Sequence, residues 1–218
     1  MIDDGGNSIS KAKVELLFIT PNAEKLIETA GRTCYSSLDK RGKNTEKEFI
    51  KRLIKKGHLS VLEHAHATFR ISGVSRAFTH QLVRHRLCSF SQRSQRYVNE
   101  SNFTCIEPES IKNNLRAHSI FTEIMDKTRA AYSELQRLGI KNEDARFVLP
   151  NAVESIIVVT ANLREWRHII ELRGEPGAQW EIRKVTIEIL KMLKKYVPTV
   201  FADFVIDEEK NTAERISL

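Results

Sequence analysis

Arg84-His85-Arg86-Leu87-Cys88-Ser89-Phe90-Ser91-Gln92-Arg93-Ser94-Gln95-Arg96-Tyr97 is the stretch from which the rest of this chain is read. It lies between Glu63 and Glu100, an interval with no acid and no lysine but with six arginines (Arg70 and Arg76 are the other two) and four histidines, His64, His66, His80 and His85. Lysine is plentiful elsewhere, so the selection is for guanidinium chemistry and not for charge alone. Arginine presents a planar fork that grips phosphate through two parallel bonds and lies flat on ring systems. Small hydroxyls at Ser89, Ser91 and Ser94 let a phosphate approach closely. Three readings follow. A solvated basic face would mix lysine with arginine and carry scattered acids. A single-strand nucleic-acid groove would use Phe90, Tyr97 and Phe103 as stacking platforms. A nucleotide or cofactor pocket would use the serines.

The bulk properties narrow the class. A chain of 218 residues suits one domain, and 41% hydrophobic residues permit a sizeable core. The formal charge of +7 favours an anionic partner. Cys34, Cys88 and Cys105 form an odd set without CxxC spacing, which argues against a disulfide framework or a zinc site. His58, His64 and His66 beside Glu63 match neither HExxH nor a facial triad, so no metal is expected. Met1 to Ser10 resembles no signal peptide and no apolar run could span a bilayer, so a cytoplasmic protein without membrane contact is expected. GxGxxG, P-loop and GxSxG motifs are absent, and only nine glycines occur. Any nucleotide must therefore be held by side chains.

Periodicity gives a coarse element map. Val14 to Ile19 reads as a strand and Asn22 to Gly31 as a helix. Thr45 and Glu48 have capping-box spacing before the buried positions Phe49, Ile50, Leu53 and Ile54, and Gly57 ends that helix. Ala65 to Ser72 reads as a strand and Ser75 to Arg84 as a short helix. Ile120 to Leu138 reads as an amphipathic helix with Phe121, Ile124, Met125, Ala131, Leu135 and Leu138 on its apolar side, stopped at Gly139. Asn142 caps a short helix before Pro150; Val153 to Val159 is a β-branched strand; Asn162 to Leu172 and Ala178 to Tyr196 are helices. The domain is expected over residues 13–205, with a loosely ordered segment at 1–12 and a polar tail at 206–218. A second basic group, Arg164, Arg167 and His168 with Arg173 beyond, falls along one helix. Glu165 and Glu171 could make it a salt-bridged surface.

Taken together, these motifs resemble the flavin-dependent thymidylate synthases. Arg84-His85-Arg86 followed after seven residues by Ser94 is the central match. Gly31-Arg32-Thr33-Cys34-Tyr35-Ser36 and Gly57 to His64 precede it, and His80-Gln81-Leu82-Val83 leads into it. Asp144 to Pro150, Asn162, Leu172-Arg173 and Ala178-Gln179-Trp180-Glu181 follow in the family's order. The likeness runs from about Lys13 to Phe204.

The resemblance implies an α+β fold, a central antiparallel sheet flanked by helices in a single compact domain. It implies reductive methylation of dUMP to dTMP, with methylenetetrahydrofolate as carbon donor and NADPH as reductant through FAD. It also implies a homotetramer with active sites between subunits. Position by position, Arg84, His85, Arg86, Gln92, Ser60, Cys34, Asn162 and His168 match flavin-binding positions. Cys34 stands where a hydroxyl can occur, and His168 where an amide can. Gln81, Ser94, Arg96, Arg146 and Arg173 match the nucleotide site. His58 and Tyr97 match the rim where folate or nicotinamide approaches. Arg173 matches the residue that polarises the pyrimidine and is the expected catalytic group. No histidine–carboxylate pair is evident to activate Ser94, so it is expected to bind phosphate, and Cys88 to fill space. The alternative from another class is a basic single-stranded nucleic-acid-binding module, which explains the charge and the aromatics but not the exclusion of lysine.

Overall fold

The computed structural model of the chain describes residues 12–216. The chain opens with strand β1 (Lys13–Ile19) and helices α1 (Ala23–Thr33) and α2 (Thr45–Lys55), then strand β2 (His66–Ser75). Helix α3 (Arg76–Leu82), strand β3 (Ser89–Gln92), the one-turn helix α4 (Glu109–Lys112) and the long helix α5 (Leu115–Arg137) follow. After α6 (Asn142–Ala145) come β4 (Glu154–Asn162), α7 (Leu163–Arg173) and α8 (Trp180–Tyr196), and last a hairpin of β5 (Phe204–Asp207) and β6 (Thr212–Arg215). The α+β class is as expected.

Four strands form one sheet in the order β1-β2-β4-β3. The pairing of β2 with β4 is antiparallel: Leu163 N–H donates to Ala65 C=O at one end, and Arg76 N–H to Val153 C=O at the other. Burial alternates along both strands, with Ala67, Phe69 and Ile71 inward on β2 and Ile157, Val159 and Ala161 inward on β4. Such a period of two means that one face is packed and the other is not. On the less buried face Thr68 and Thr160 share a hydrogen bond of 2.9 Å.

Contacts within the domain gather around two compact units of interleaved segments. The first holds Ile71–Gln81 and Ser91–Ile157; the second holds Val14–Arg70, Leu82–Phe90 and the chain from Val158 onward. In the first, Phe103, Met125 and Val153 form a buried cluster with Phe121 and Cys105 against it. In the second, Trp166 is fully buried, meets Phe69 edge-on at 5.0 Å and donates from its indole N–H to Ala67 C=O at 3.0 Å. A buried side chain such as Phe69 contributes about 1.5–3 kcal/mol. Among the described residues no helix is long and apolar enough to cross a membrane.

Several local expectations change. Thr45 is the first residue of α2 and not its cap; its hydroxyl turns back to Gly42, accepting from N–H at 3.0 Å and donating to C=O at 3.2 Å, so the capping box does not form. Helix α5 begins at Leu115 because the Asn114 side chain accepts from Ala117 N–H at 3.1 Å. Of its expected apolar side only Met125 is buried; Ile124 and Leu138 are exposed, while Tyr132 is fully buried and its hydroxyl accepts from Glu100 N–H. Residues 204–215, expected mostly as tail, make the β5–β6 hairpin, whose Thr212 and Ala213 are buried. The N-terminal segment expected at 1–12 lies, Ala12 apart, outside the described residues.

Candidate active site

The second unit encloses a cavity of about 970 Å³ lined by Arg84, His85, Arg86, Asn162, Arg164, His168 and Arg173, among others. Its walls are built locally. Two successive tight turns, His85 N–H to Leu82 C=O at 3.1 Å and Cys88 N–H to His85 C=O at 3.2 Å, present the Arg84–Arg86 triplet. They bury His85 and leave Arg84 and Arg86 exposed on either side. Asn162 ends β4 and caps α7, accepting from Glu165 N–H at 2.8 Å. Trp166 anchors that helix to β2. Arg167, on the same side as Trp166, is buried and makes a two-pronged pair with Asp203 at 2.6 and 2.5 Å. It also donates to Val200 C=O. Arg164 and His168, one turn apart, line the cavity beside it.

His85 organises this cavity. Its Nε2 accepts from Arg173 Nε at 3.1 Å, and its ring meets that of His168 edge-on at 5.9 Å between centroids. Burial, then the neighbouring Arg173 and His168, lower its pKa to about 4. The imidazole is therefore neutral, and a neutral ring that accepts at Nε2 carries its proton on Nδ1. Nδ1 faces the buried Glu165 carboxylate at 3.7 Å. Three carboxylates line the cavity: Glu165 faces the His85 ring, while Glu63 accepts from Arg164 at 2.6 Å and Glu171 pairs with Arg215 at 3.2 Å. Arg84 and Arg86, by contrast, have no carboxylate partner among the described residues. Cys88 lies nearby as a thiol, its pKa pushed up to about 12 by burial and by the charge of Glu165.

Of the flavin-binding positions expected from sequence, Arg84, His85, Arg86, Asn162 and His168 come together here. Cys34 and Ser60 line an adjoining cavity of about 410 Å³ together with His58. Gln92 is elsewhere, in the first unit, where its amide donates to Thr79 Oγ1 at 2.9 Å and Ser155 Oγ at 3.1 Å. Arg173 lies with the flavin group, against His85, and the other four expected nucleotide residues are in the first unit. There Arg96 pairs with Glu143 at 2.7 Å, and Arg146 donates to the backbone carbonyl of that same Glu143 at 3.1 Å. Ser94 Oγ accepts from Arg96 N–H at 3.2 Å, and Gln81 donates to Ala77 C=O at 3.3 Å. Tyr97 is exposed, with the Arg96 guanidinium 5.3 Å from its ring centre.

Sequence reading missed three kinds of residue. Glu143 links Arg96 to Arg146, and its position just before Asp144-Ala145-Arg146 was the available signal. Arg215 reaches the large cavity from β6. Arg93, inside the run, is internal to the first unit, meeting the buried Glu100 at 3.4 Å and donating to Glu154 C=O. Burial raises the Glu100 pKa in spite of Arg93 and Arg76, so desolvation outweighs the two cations.

The chain is similar to known proteins over most of its length. The family model described as thymidylate synthase complementing protein matches residues 15–199. The chain is 43% identical over 199 residues to a flavin-dependent thymidylate synthase of Geobacter sulfurreducens, covering 88% of this chain and 86% of that protein. It is 45% identical over 198 residues to one of Mycolicibacterium vanbaalenii, covering 83% and 79%. Among solved structures, the UMP/dUMP methylase PolB of Streptomyces cacaoi, bound with 5-Br dUMP, superposes with a TM-score of 0.78 at 24% identity, covering 88% of this chain and 94% of that one. Thymidylate synthase X of Helicobacter pylori, with FAD and dUMP, gives 0.74 at 23%, covering 88% and 98%.

Proposed function

This chain belongs to the thymidylate synthase complementing protein family, the flavin-dependent thymidylate synthases, and we propose on that premise a division of labour among its arginines. It is a methyltransferase that converts dUMP to dTMP with FAD as cofactor. The observation that carries the site assignment is a pair of guanidiniums, Arg84 and Arg86, without a carboxylate partner among the described residues, on either side of a buried neutral histidine at a large cavity. Its volume of about 970 Å³ is at the upper end for small-molecule pockets, which run to about 1,000 Å³. Two free forks fit the diphosphate of FAD.

Arg84 and Arg86 hold that diphosphate, while Asn162 and His168 border the ring system. Cys34 and Ser60 contribute from the adjoining cavity. Bound FAD supplies the reducing electrons, drawn from NADPH, and methylenetetrahydrofolate supplies the carbon. His58 and Tyr97 meet those cosubstrates at the rim. Ser94, Arg96 and Arg146 take the phosphate of dUMP, with Gln81 beside them; Glu143 holds both arginines ready. Arg173 stabilises the charge that develops on the pyrimidine carbonyl edge. Its hydrogen bond to neutral His85 fixes the plane of the guanidinium. A protonated His85 would lose that acceptor and repel Arg173. The Cys88 thiol, held protonated, is no nucleophile.

Helix α5 leaves Leu115, Ile120 and Ile124 exposed, and Phe147 is exposed at 84%. Apolar side chains left in water on this scale support self-association, and we assign a homotetramer with active sites between subunits. The purified protein should be yellow, with a flavin spectrum that dUMP perturbs. A protein that stays colourless after FAD is added, and that binds single strands with steep salt dependence, would refute the site in favour of nucleic-acid binding.

A further inference from the structure

A cavity of about 330 Å³ in the second unit lies apart from the Arg84–Arg86 cradle, where the ends of α1 and α2 meet the turn Leu38–Lys40. Four permanent cations line it, Arg32, Lys40, Arg52 and Lys56, and no carboxylate does. Arg32 is fixed from behind: its Nε donates to the buried Glu28 at 2.8 Å, and its guanidinium lies 4.7 Å from the centre of the Phe49 ring. Arg52 lies 5.5 Å from the same ring. Lys40, Arg52 and Lys56 have no ion-pair partner among the described residues. Four cations less the one Glu28 carboxylate leave a local charge of about +3.

A solvated helix face looks different on the same helix, where Lys51 is matched by Glu48 at 2.9 Å. The C-terminal dipole of α2 favours Arg52 and Lys56, but Lys40 and Arg32 come from other elements. The helix end also aims the rim. Gly57 takes a left-handed φ of 73° and donates to Ile54 C=O at 3.0 Å, and His58 donates to Leu53 C=O at 2.9 Å. That double bond is a Schellman closure, and it sets His58 at the cavity edge.

The cavity is also the end of a path. It shares Tyr35, Leu53 and His58 with the cavity that holds Cys34 and Ser60. That one in turn shares Leu59 and Arg164 with the large cavity. A ligand laid along this path has one end beside Asn162 and His168 and the other among Lys40, Arg52 and Lys56.

We propose that the Arg32–Lys40–Arg52–Lys56 cavity is an anion subsite for the tail of a cosubstrate whose flat head works at the flavin cavity. The inference rests on the function proposed above, since that reading supplies two ligands of this shape. One is a folate bearing several γ-linked glutamate carboxylates. The other is a nicotinamide dinucleotide bearing phosphates. Their shared chemistry is a flexible tail with two or more negative charges.

The test uses flavin-loaded wild type and the double variant Lys40→Glu/Lys56→Glu, both exposed positions outside the assigned site. Flavin content and kcat should be unchanged. The KM should rise about tenfold for methylenetetrahydrofolate with a polyglutamate tail, approaching that of the monoglutamate, or by a like factor for NADPH, approaching that of NADH. The first result identifies the carboxylate tail, the second the phosphate. Both KM values unchanged in a folded, flavin-loaded variant would overturn the subsite. If the double variant does not fold, Lys40→Gln/Lys56→Gln should show the same change in smaller measure. Titration with free tri-γ-glutamate and with inorganic tripolyphosphate separates this inference from its premise. Wild type should bind at least one of them about tenfold more tightly than the variant, whether or not dUMP is turned over. Equal binding of both by the two proteins counts against the subsite; absence of turnover in wild type counts only against the function.

Discussion

The two ends of the arginine run are alike in sequence and opposite in structure. At its front, Arg84 and Arg86 are exposed, flank a buried neutral histidine and have no carboxylate partner among the described residues. At its back, Arg93 is turned inward onto the buried Glu100 and Arg96 is held by Glu143. Acids are missing from the run itself, yet the fold returns them selectively to its back end, Glu100 from just downstream and Glu143 from α6. An arginine given a carboxylate becomes part of the framework or is held in one pose. An arginine left without one keeps its desolvation cost low by staying exposed, and is ready for an anionic ligand.

The sharpest way to break this contrast starts with Arg173, which touches the front group. Arg173→Ala should cut turnover by about 10²–10³ with flavin content retained, as removal of one preorganised charge donor does in other sites. Steady-state rates beside the absorbance spectrum decide it, and unchanged turnover would end the catalytic assignment. At the back, Arg93→Ala removes the ion-pair partner of the buried Glu100, leaving only the field of Arg76, and should cost about 3 kcal/mol of stability, seen in denaturant melts. The loss comes at the lower end of the range because Arg93 is a quarter exposed. At the front, Arg84→Ala or Arg86→Ala should leave the melt in place and weaken FAD binding by about 1.5–3 kcal/mol each, measured by reconstitution of the apoprotein. A front variant that melts early, or a back variant that does not, would erase the distinction.

The most gradual effect is a pH slope. The folded pKa of His85, about 4, lies below the ordinary value of 6.5. Between those values the unfolded chain binds a proton that the folded one refuses, so stability falls as pH drops through that window, at most by about 1.4 kcal/mol per pH unit. Above pH 6.5 the contribution is flat. Glu100, raised by burial, acts with the opposite sign, so the clean measurement is wild type minus His85→Gln across pH 4 to 7. An unchanged difference across that range would place His85 in water-like surroundings and undo the neutral-acceptor role.

Much of this was legible in the residues and some was not, for physical reasons. Gly57 and Gly139 mark helix ends, and both take the left-handed φ that their positions require, 73° and 80°. The Arg84-His85-Arg86 triplet was legible because its spacing to Ser94 is itself the motif. Arg93 was not, since nothing local distinguishes an arginine that finds a buried acid from one that does not. Tyr132 escaped notice because a tyrosine on the margin of an apolar stripe is buried only if its hydroxyl finds a donor, here Glu100 N–H from a distant loop. The β5–β6 hairpin was hidden because its strands are four residues long. Its turn carries no Asn-Gly or Asp-Gly signal, closing instead with Asn211 at a φ of 50° and Lys210 N–H on Asp207 at 3.0 Å.

That hairpin has a further consequence. Ala213 N–H donates to Gly174 C=O at 2.8 Å, immediately after Arg173, and a side chain at Gly174 would come within 2.7 Å of Ile170 C=O and 3.1 Å of Ala213. The strand is thus a splint on the joint that carries Arg173. In a random mutagenesis screen for altered rate, Thr212 to Arg215 would be recovered alongside the active-site positions. A map of such hits would outline a working site whose boundary is mechanical and extends well beyond the residues that bind a ligand.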